Sequence, residues 1–226
     1  MRGLGLCQVL LDLGEEKPWS NEWPVISQEH RPTPARRIAF RQGEILDGIP
    51  VACEGWAARM VQITNGRRQI LSFLLPGEIV TAALVFDPQL RFSIEAVTRG
   101  CYRCFDRSQL RHAMFVSPAI FERVMTASND ERKRAEQLIT DLGRRTASER
   151  VARLILDLWD RLGKAGLVDG DSVDFPLRQT HIAEATGLTP VYVNKVLGEF
   201  RKNGLMTITE RSLQMTDETR LRRLAA

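Results

Sequence analysis

The chain has 226 residues, 43% of them hydrophobic and 27% charged, with a formal net charge of +4. That length can bury one large core or two modest ones and slightly favours two domains. No apolar run approaches the roughly 20 residues needed to span a bilayer, and so mild a positive balance permits a polyanionic partner without demanding one.

The first stretch, "MRGLGLCQVLLDLGEE", sets Arg2 before an apolar run, but Gln8 and Asp12 interrupt it and no small-residue cleavage site follows. It reads as a short helix or flexible lead-in, not a signal peptide, and a Pro-punctuated segment continues through Pro24, Pro32 and Pro34. Without an export signal, Cys7, Cys53, Cys101 and Cys104 are expected to be reduced thiols of a cytoplasmic protein.

From about residue 38 to 106, short runs of β character alternate with turn residues. In "ARMVQITNGRRQILSFLLPGE", Val61 and Ile63 alternate with Gln62 and Thr64. Asn65-Gly66 supplies a pair tolerant of positive φ, and Leu71, Phe73 and Leu75 alternate on the return. This is a hairpin, ended by Pro76-Gly77. "RFSIEAVTRGCYRCFD" gives another extended pair, so an antiparallel sandwich or barrel is expected for this half.

From Ser108 the period becomes helical. Pro118 can open a long helix, in which Phe121, Val124, Met125, Ser128, Arg132, Ala135, Leu138, Ile139 and Leu142 recur at spacings of three and four. The expectation is a helix packed partly on its own β domain and partly on a second copy of itself; packing within one subunit alone is the competing reading. "ERKR" at 131–134 reads as a solvated face of that helix. "TASERVARLILDLWDRLGKAG" follows, with Thr146 and Glu149 spaced as a capping box, a buried face of Val151, Leu154, Ile155, Leu158 and Leu162, and Gly163 with Gly166 as its end. "DGDSVDFP" is a turn-rich connection, and the domain boundary falls near 143–146.

The stretch "QTHIAEATGLTPVYVNKVLGEFRKNGL" reads as two helices joined by a tight turn. Thr180 suits the N-cap of the first, with Ile182, Ala183 and Ala185 inward and Gly187 as the C-terminal turn. Thr189 caps the second and Pro190 takes its first position, where a missing N–H costs nothing. On this second helix Val193, Val196, Leu197 and Phe200 form one face, and Val191, Asn194, Lys195 and Gly198 the other. A structural helix more often lines its free face with Glu and Lys pairs. This face is small, amide-bearing and cationic, with Arg201 and Lys202 beyond it, which suits a DNA groove. Asn can pair twice with adenine, and Lys can reach guanine acceptors or a phosphate. "LMTITERSLQM" then gives a two-stranded wing turning at 210–212.

With these pieces in place, the sequence resembles the Crp/Fnr family of bacterial transcription regulators over most of its length, most specifically in the helix-turn-helix and wing. The resemblance implies an α+β protein: an antiparallel β-roll (jelly roll) like that of cyclic-nucleotide-binding domains, a long dimerisation helix at about 117–143, and a C-terminal winged helix-turn-helix. The division is 1–143 and 144–226. It implies a homodimer that binds double-stranded DNA at an inverted repeat, with RNA polymerase as a further partner if the protein activates. Thr180 and Thr189 lie where the family contacts phosphates, and Pro190, Val191, Asn194 and Lys195 where it reads bases; Tyr192 can do either, and Arg201 and Lys202 serve the backbone. The dimer helix would use Phe121, Val124, Met125, Ser128, Ala135, Leu138, Ile139 and Leu142. Val191 stands where many members carry a base-reading Glu, and Pro190 where an Arg often precedes it, so the preferred half-site should differ.

The possible effector pocket departs further. Thr81 and Ala82 occupy the places of the Gly-Glu pair that holds the ribose of cyclic AMP, and Arg91, Phe92 and Ser93 stand where an Arg-Ser pair should hold its phosphate. The expectation is a regulator not controlled by cyclic AMP, with another small effector or a redox signal as the alternative.

"CYRC" at 101–104 has redox or zinc spacing, but residues three apart on a strand face opposite sides and no second pair completes a zinc site. Two strand cysteines, one of them buried, is the reading. Cys7 stands alone where iron–sulfur members carry a cysteine group. His30, His112 and His181 are scattered, and no metal, haem or other cofactor is expected. A scaffold module without DNA binding and a thiol enzyme using Cys101 and Cys104 are the rival classes, separated from the regulator by salt-dependent DNA affinity and by thiol reactivity.

Overall fold

A computed structural model describes residues 30–226; the expectations for the lead-in, Pro24 and Cys7 lie outside them. Two compact units emerge, one comprising residues 30–61 with 72–135, the other 136–226 with the hairpin tip 62–71.

The first unit is a two-sheet antiparallel roll. One sheet runs β1-β7-β3, with β1 His30–Thr33, β3 Gly48–Glu54 and β7 Gly100–Asp106; the other runs β2-β6-β4-β5, with β2 Ile38–Phe40, β6 Ser93–Ala96, β4 Ala57–Gln62 and β5 Arg68–Leu74. β1 was hidden by its proline. Pro32 sits opposite Cys101 on this edge strand, where a residue lacking an N–H is tolerated. β6 and β7, adjacent in sequence, belong to opposite sheets. Phe40, Ile49, Val51, Leu74, Ile94 and Phe105 fill the space between them.

The β4–β5 hairpin turns as the Asn-Gly pair demands: Gly66 has φ +81°, its N–H donates to the Ile63 carbonyl, and Arg67 N–H donates to Asn65 Oδ1. Its burial does not alternate as expected. Ile70, Phe73, Leu74 and Leu75 are buried and Leu71 only half so, the consecutive residues 73–75 being buried on both faces of the chain.

Helix α1, Arg107–Val116, begins at Asp106, whose carboxylate accepts from Gln109 N–H at 2.9 Å. Ser117 breaks it, and Pro118 opens α2, Pro118–Arg144. Ile120 and Val124 of α2 are buried in the roll's core, so Val124 serves its own subunit and leaves the expected dimer stripe. Phe121, Met125, Ser128, Ala135 and Ile139 are exposed, and Leu138 and Leu142 half-buried.

In the second unit, α3 (Ala147–Lys164) starts with both halves of the capping box: Glu149 N–H donates to Thr146 Oγ1 and Thr146 N–H to the Glu149 carboxylate. Gly163 lies inside this helix, which ends at Lys164 before Gly166 adopts φ +70°. Its buried side is Val151, Ala152, Ile155, Leu158, Trp159 and Leu162, with Leu154 half-buried. Part of "DGDSVDFP" is a strand, β8 Ser172–Asp174, which pairs with β10 Ser212–Met215 and makes the wing three-stranded in the order β8-β10-β9, with β9 Met206–Thr209. A last helix, α6 Glu218–Ala225, is capped by Asp217 and packs on α3, where Trp159 Nε1 donates to Glu218 at 3.2 Å and Arg222 pairs with Asp160.

Candidate nucleic-acid interface

Helices α4 (Gln179–Thr186) and α5 (Pro190–Lys202) carry the candidate residues. α4 starts two residues earlier than a Thr180 cap would set it: Arg178 is its N-cap, and the Arg178 N–H donates to Nδ1 of His181 at 3.1 Å. Thr180 is therefore an exposed first-turn residue, and the His181 imidazole accepts from the N-cap N–H as the Glu or Gln of a capping box would. Ile182, Ala183 and Ala185 are buried as expected.

Gly187 ends α4 at φ +66°, and a Cβ there would lie 2.9 Å from Leu142 Cδ2. Two constraints, a left-handed backbone and a close neighbour, thus fix glycine at the turn. Thr189 then caps α5, its Oγ1 accepting from Tyr192 N–H at 3.2 Å, and Pro190 occupies the first turn.

Val193, Val196 and Phe200 bury one side of α5, leaving Val191 (81% exposed), Tyr192, Asn194 and Lys195 on the other. Asn194 Oδ1 accepts from Gln179 Nε2 at 3.0 Å, and Lys195 Nζ stands 5.9 Å from the Tyr192 ring centre. Gly198 has nothing within 4 Å of a Cβ, so it opens a shallow cleft with Gln179, Asn194 and Arg201. Arg201 and Lys202 are exposed, and among the described residues neither they nor Lys195 carry an ion pair. Three unneutralised cations on one exposed helix face repel one another only weakly in water, and a phosphate backbone would compensate them. The wing turns at Glu210 (φ +42°), beside the exposed Arg211–Asp174 pair.

Residues 149–224 match the Crp-like helix-turn-helix domain, and residues 30–116 the cyclic nucleotide-binding domain. The chain belongs to the Crp/Fnr family. Relatives include the transcriptional activatory protein AadR of Rhodopseudomonas palustris, 28% identical and covering 100% of this chain and 91% of that protein. The nitrogen fixation regulation protein FixK of Azorhizobium caulinodans is 29% identical, covering 82% of this chain and 74% of that one. In fold, the structure of FixK2 from Bradyrhizobium japonicum matches with a TM-score of 0.78 at 24% identity, over 88% of this chain and 98% of that chain. The order of roll, long helix and helix-turn-helix expected from the sequence is that of Crp/Fnr proteins, which are DNA-binding transcription regulators, act as dimers and are not enzymes. No helix among the described residues is long and apolar enough to cross a membrane.

The four residues named for an effector pocket are not brought together in this Crp/Fnr roll. Thr81 and Ala82 are buried side by side, where a 3-10 turn over Ala82–Val85 begins. Arg91 is 70% exposed and paired with Asp87 at 2.8 Å, while the Ser93 hydroxyl accepts from Gln42 N–H. The cation that does reach Thr81 and Ala82 is Arg59 of β4, through Glu131 of α2. "ERKR" is accordingly not wholly a solvated face, since Glu131 turns inward. Neither cysteine of "CYRC" is fully buried, and burial, with Cys53 and Glu54 nearby, pushes the Cys101 thiol up, away from the depressed range of a reactive thiolate. No group of metal-ligating side chains occurs among the described residues.

Proposed function

We propose that the chain is a homodimeric regulator that reads an inverted-repeat promoter site, with one α5 in the major groove of each half-site. The observation that supports this most is the exposed face of α5, where Val191, Asn194 and Lys195 stand between the cations Arg201 and Lys202 and the capped turn at Thr189. Asn194 and Lys195 contact base edges, Val191 meets a thymine methyl, and Pro190 keeps the helix start close to the bases. Thr180, Thr189, Arg201 and Lys202 hold phosphates, and Tyr192 serves either.

The dimer forms along α2. Phe121, Met125, Ser128, Ala135, Ile139 and Leu142, with Arg132 between Ser128 and Ala135, follow the alternating spacing of four and three that one helix presents to another, and the first five are exposed on the single chain. The functional division falls at 143/144, where this helix hands over to the reading domain. Cyclic AMP does not control the protein, because Ala82 offers no acceptor to a ribose hydroxyl and Arg91 points to solvent and Asp87.

Titration of duplex DNA with the full chain at several salt concentrations tests the reading: affinity should fall steeply with salt and depend on sequence. Salt-insensitive or absent binding would favour a scaffold module.

A further inference from the structure

The Arg59 side chain is 8% exposed, yet it is a charge placed within an apolar roll. Its Nη2 lies 3.2 Å from Glu131 Oε1 and donates to the Ile79 carbonyl at 3.3 Å, while its Nε has no hydrogen-bond partner. The guanidinium also sits 5.3 Å from the Phe92 ring centre. Burial lowers its pKa, and Glu131, the next largest influence, opposes that. The Glu131 carboxylate is itself multiply held: Oε2 accepts from the Thr81 hydroxyl at 2.8 Å and Oε1 from the Ala82 N–H at 2.9 Å. A guanidinium, a hydroxyl and a backbone N–H therefore converge on one carboxylate, a donor set that would hold any small oxyanion.

An ordinary ion pair tying two elements together needs only one cation and one anion. Here three donors come from two segments of the roll, β4 and the turn at 81–82, and the anion comes from the long helix. We propose that this cluster is an oxyanion site of the β-roll whose occupant is the chain's own Glu131. The carboxylate fastens α2 to the roll as the anionic group of a bound effector would, so DNA binding needs no small anionic ligand. Removing the carboxylate leaves the buried guanidinium with only the Ile79 carbonyl and the weaker field of Glu78 to offset its charge, and the vacated site becomes one for a free carboxylate such as acetate. This goes beyond the reading of α5 as the DNA reader.

The test uses the full chain with Glu131→Ala, Glu131→Gln and the double variant Arg59→Met/Glu131→Ala. Loss of one partner of a buried pair should lower the Tm of Glu131→Ala by about 10 °C. Acetate should restore it saturably against chloride of equal ionic strength, while the wild type and the double variant show no acetate-specific response. Acetate acting equally on all of them, or a Glu131→Ala Tm equal to wild type, overturns the site. Glu131→Gln keeps the shape and loses the charge; on selected duplex DNA it should bind at least about tenfold more weakly, by analogy with truncated buried charge pairs. Unchanged affinity overturns the fastening role. The thermal arm is read without DNA, so its outcome is independent of whether α5 reads bases.

Discussion

Gln179 and Asn194 form a carboxamide pair across the two helices of the reading motif, Gln179 Nε2 donating to Asn194 Oδ1 at 3.0 Å. The bond uses one lone pair of Oδ1 and leaves the other, with both amide hydrogens, free for a further partner. A surface amide on a helix ordinarily samples several rotamers; this one is tied to Gln179, and on the proposed reading of α5 that lowers the ordering cost of recognition.

Asn194→Ala should relax selectivity at one position of each half-site by about 1 to 3 kcal/mol, the worth of a bidentate adenine contact. Gln179→Ala should relax the same position by less, about 1 kcal/mol, since only the orienting hydrogen bond is lost. Competition binding with single-base variants of the selected site checks both. Relaxation at different positions would mean that the pair does not act as a unit.

Lys195→Ala should weaken binding to the preferred site at least about tenfold and broaden preference at a second position, as expected for a cation that reads a base acceptor. A uniform loss across all sequences, with the salt slope smaller by about 1 per subunit, would assign Lys195 to a phosphate instead. Both quantities come from one salt-controlled titration series.

Ile139→Glu should convert dimer to monomer without unfolding either unit, because Ile139 is 73% exposed on the single chain and a charge on a helix–helix seam would have to be desolvated. Sedimentation velocity reads the mass, and circular dichroism the fold. A dimer of unchanged affinity would remove α2 as the interface.

Gly187→Ala should destabilise the second unit by about 1 to 2 kcal/mol, since alanine resists positive φ and its Cβ meets Leu142 at 2.9 Å. Urea unfolding measures this. A stability equal to wild type would show that α2 yields at Leu142 without cost.

The parts that the sequence made legible are those specified locally. Thr189 with Pro190, Thr146 with Glu149, and Asn65-Gly66 each determine their own turn or cap within a few residues, and each appears where expected. Thr180 misled because His181, next to it, supplies an acceptor that hydroxyl-based capping patterns overlook. β1 and β8 went unseen for a different reason: a proline or a run of Asp and Gly lowers β propensity, and only pairing with distant strands, β7 and β10, makes these segments extended. Least legible was the roll's interior charge. Arg59 lies in a strand whose neighbours are apolar, and its partner Glu131 sits in a helix that reads as solvated, so nothing within either segment announces the pair. Arg91 was named because the resemblance sets a phosphate-binding Arg at its place, but matching a motif position does not decide which cation a roll turns inward.

Selection of binding sites from random duplex DNA by the purified full chain, with no added ligand and at a stated near-physiological salt concentration, shows whether two α5 helices read a symmetric site. The expected result is enrichment of an inverted repeat whose half-sites are centred about one helical turn, 10 to 10.5 base pairs, apart. Enrichment of an unrepeated site, or of no sequence at all, would contradict it.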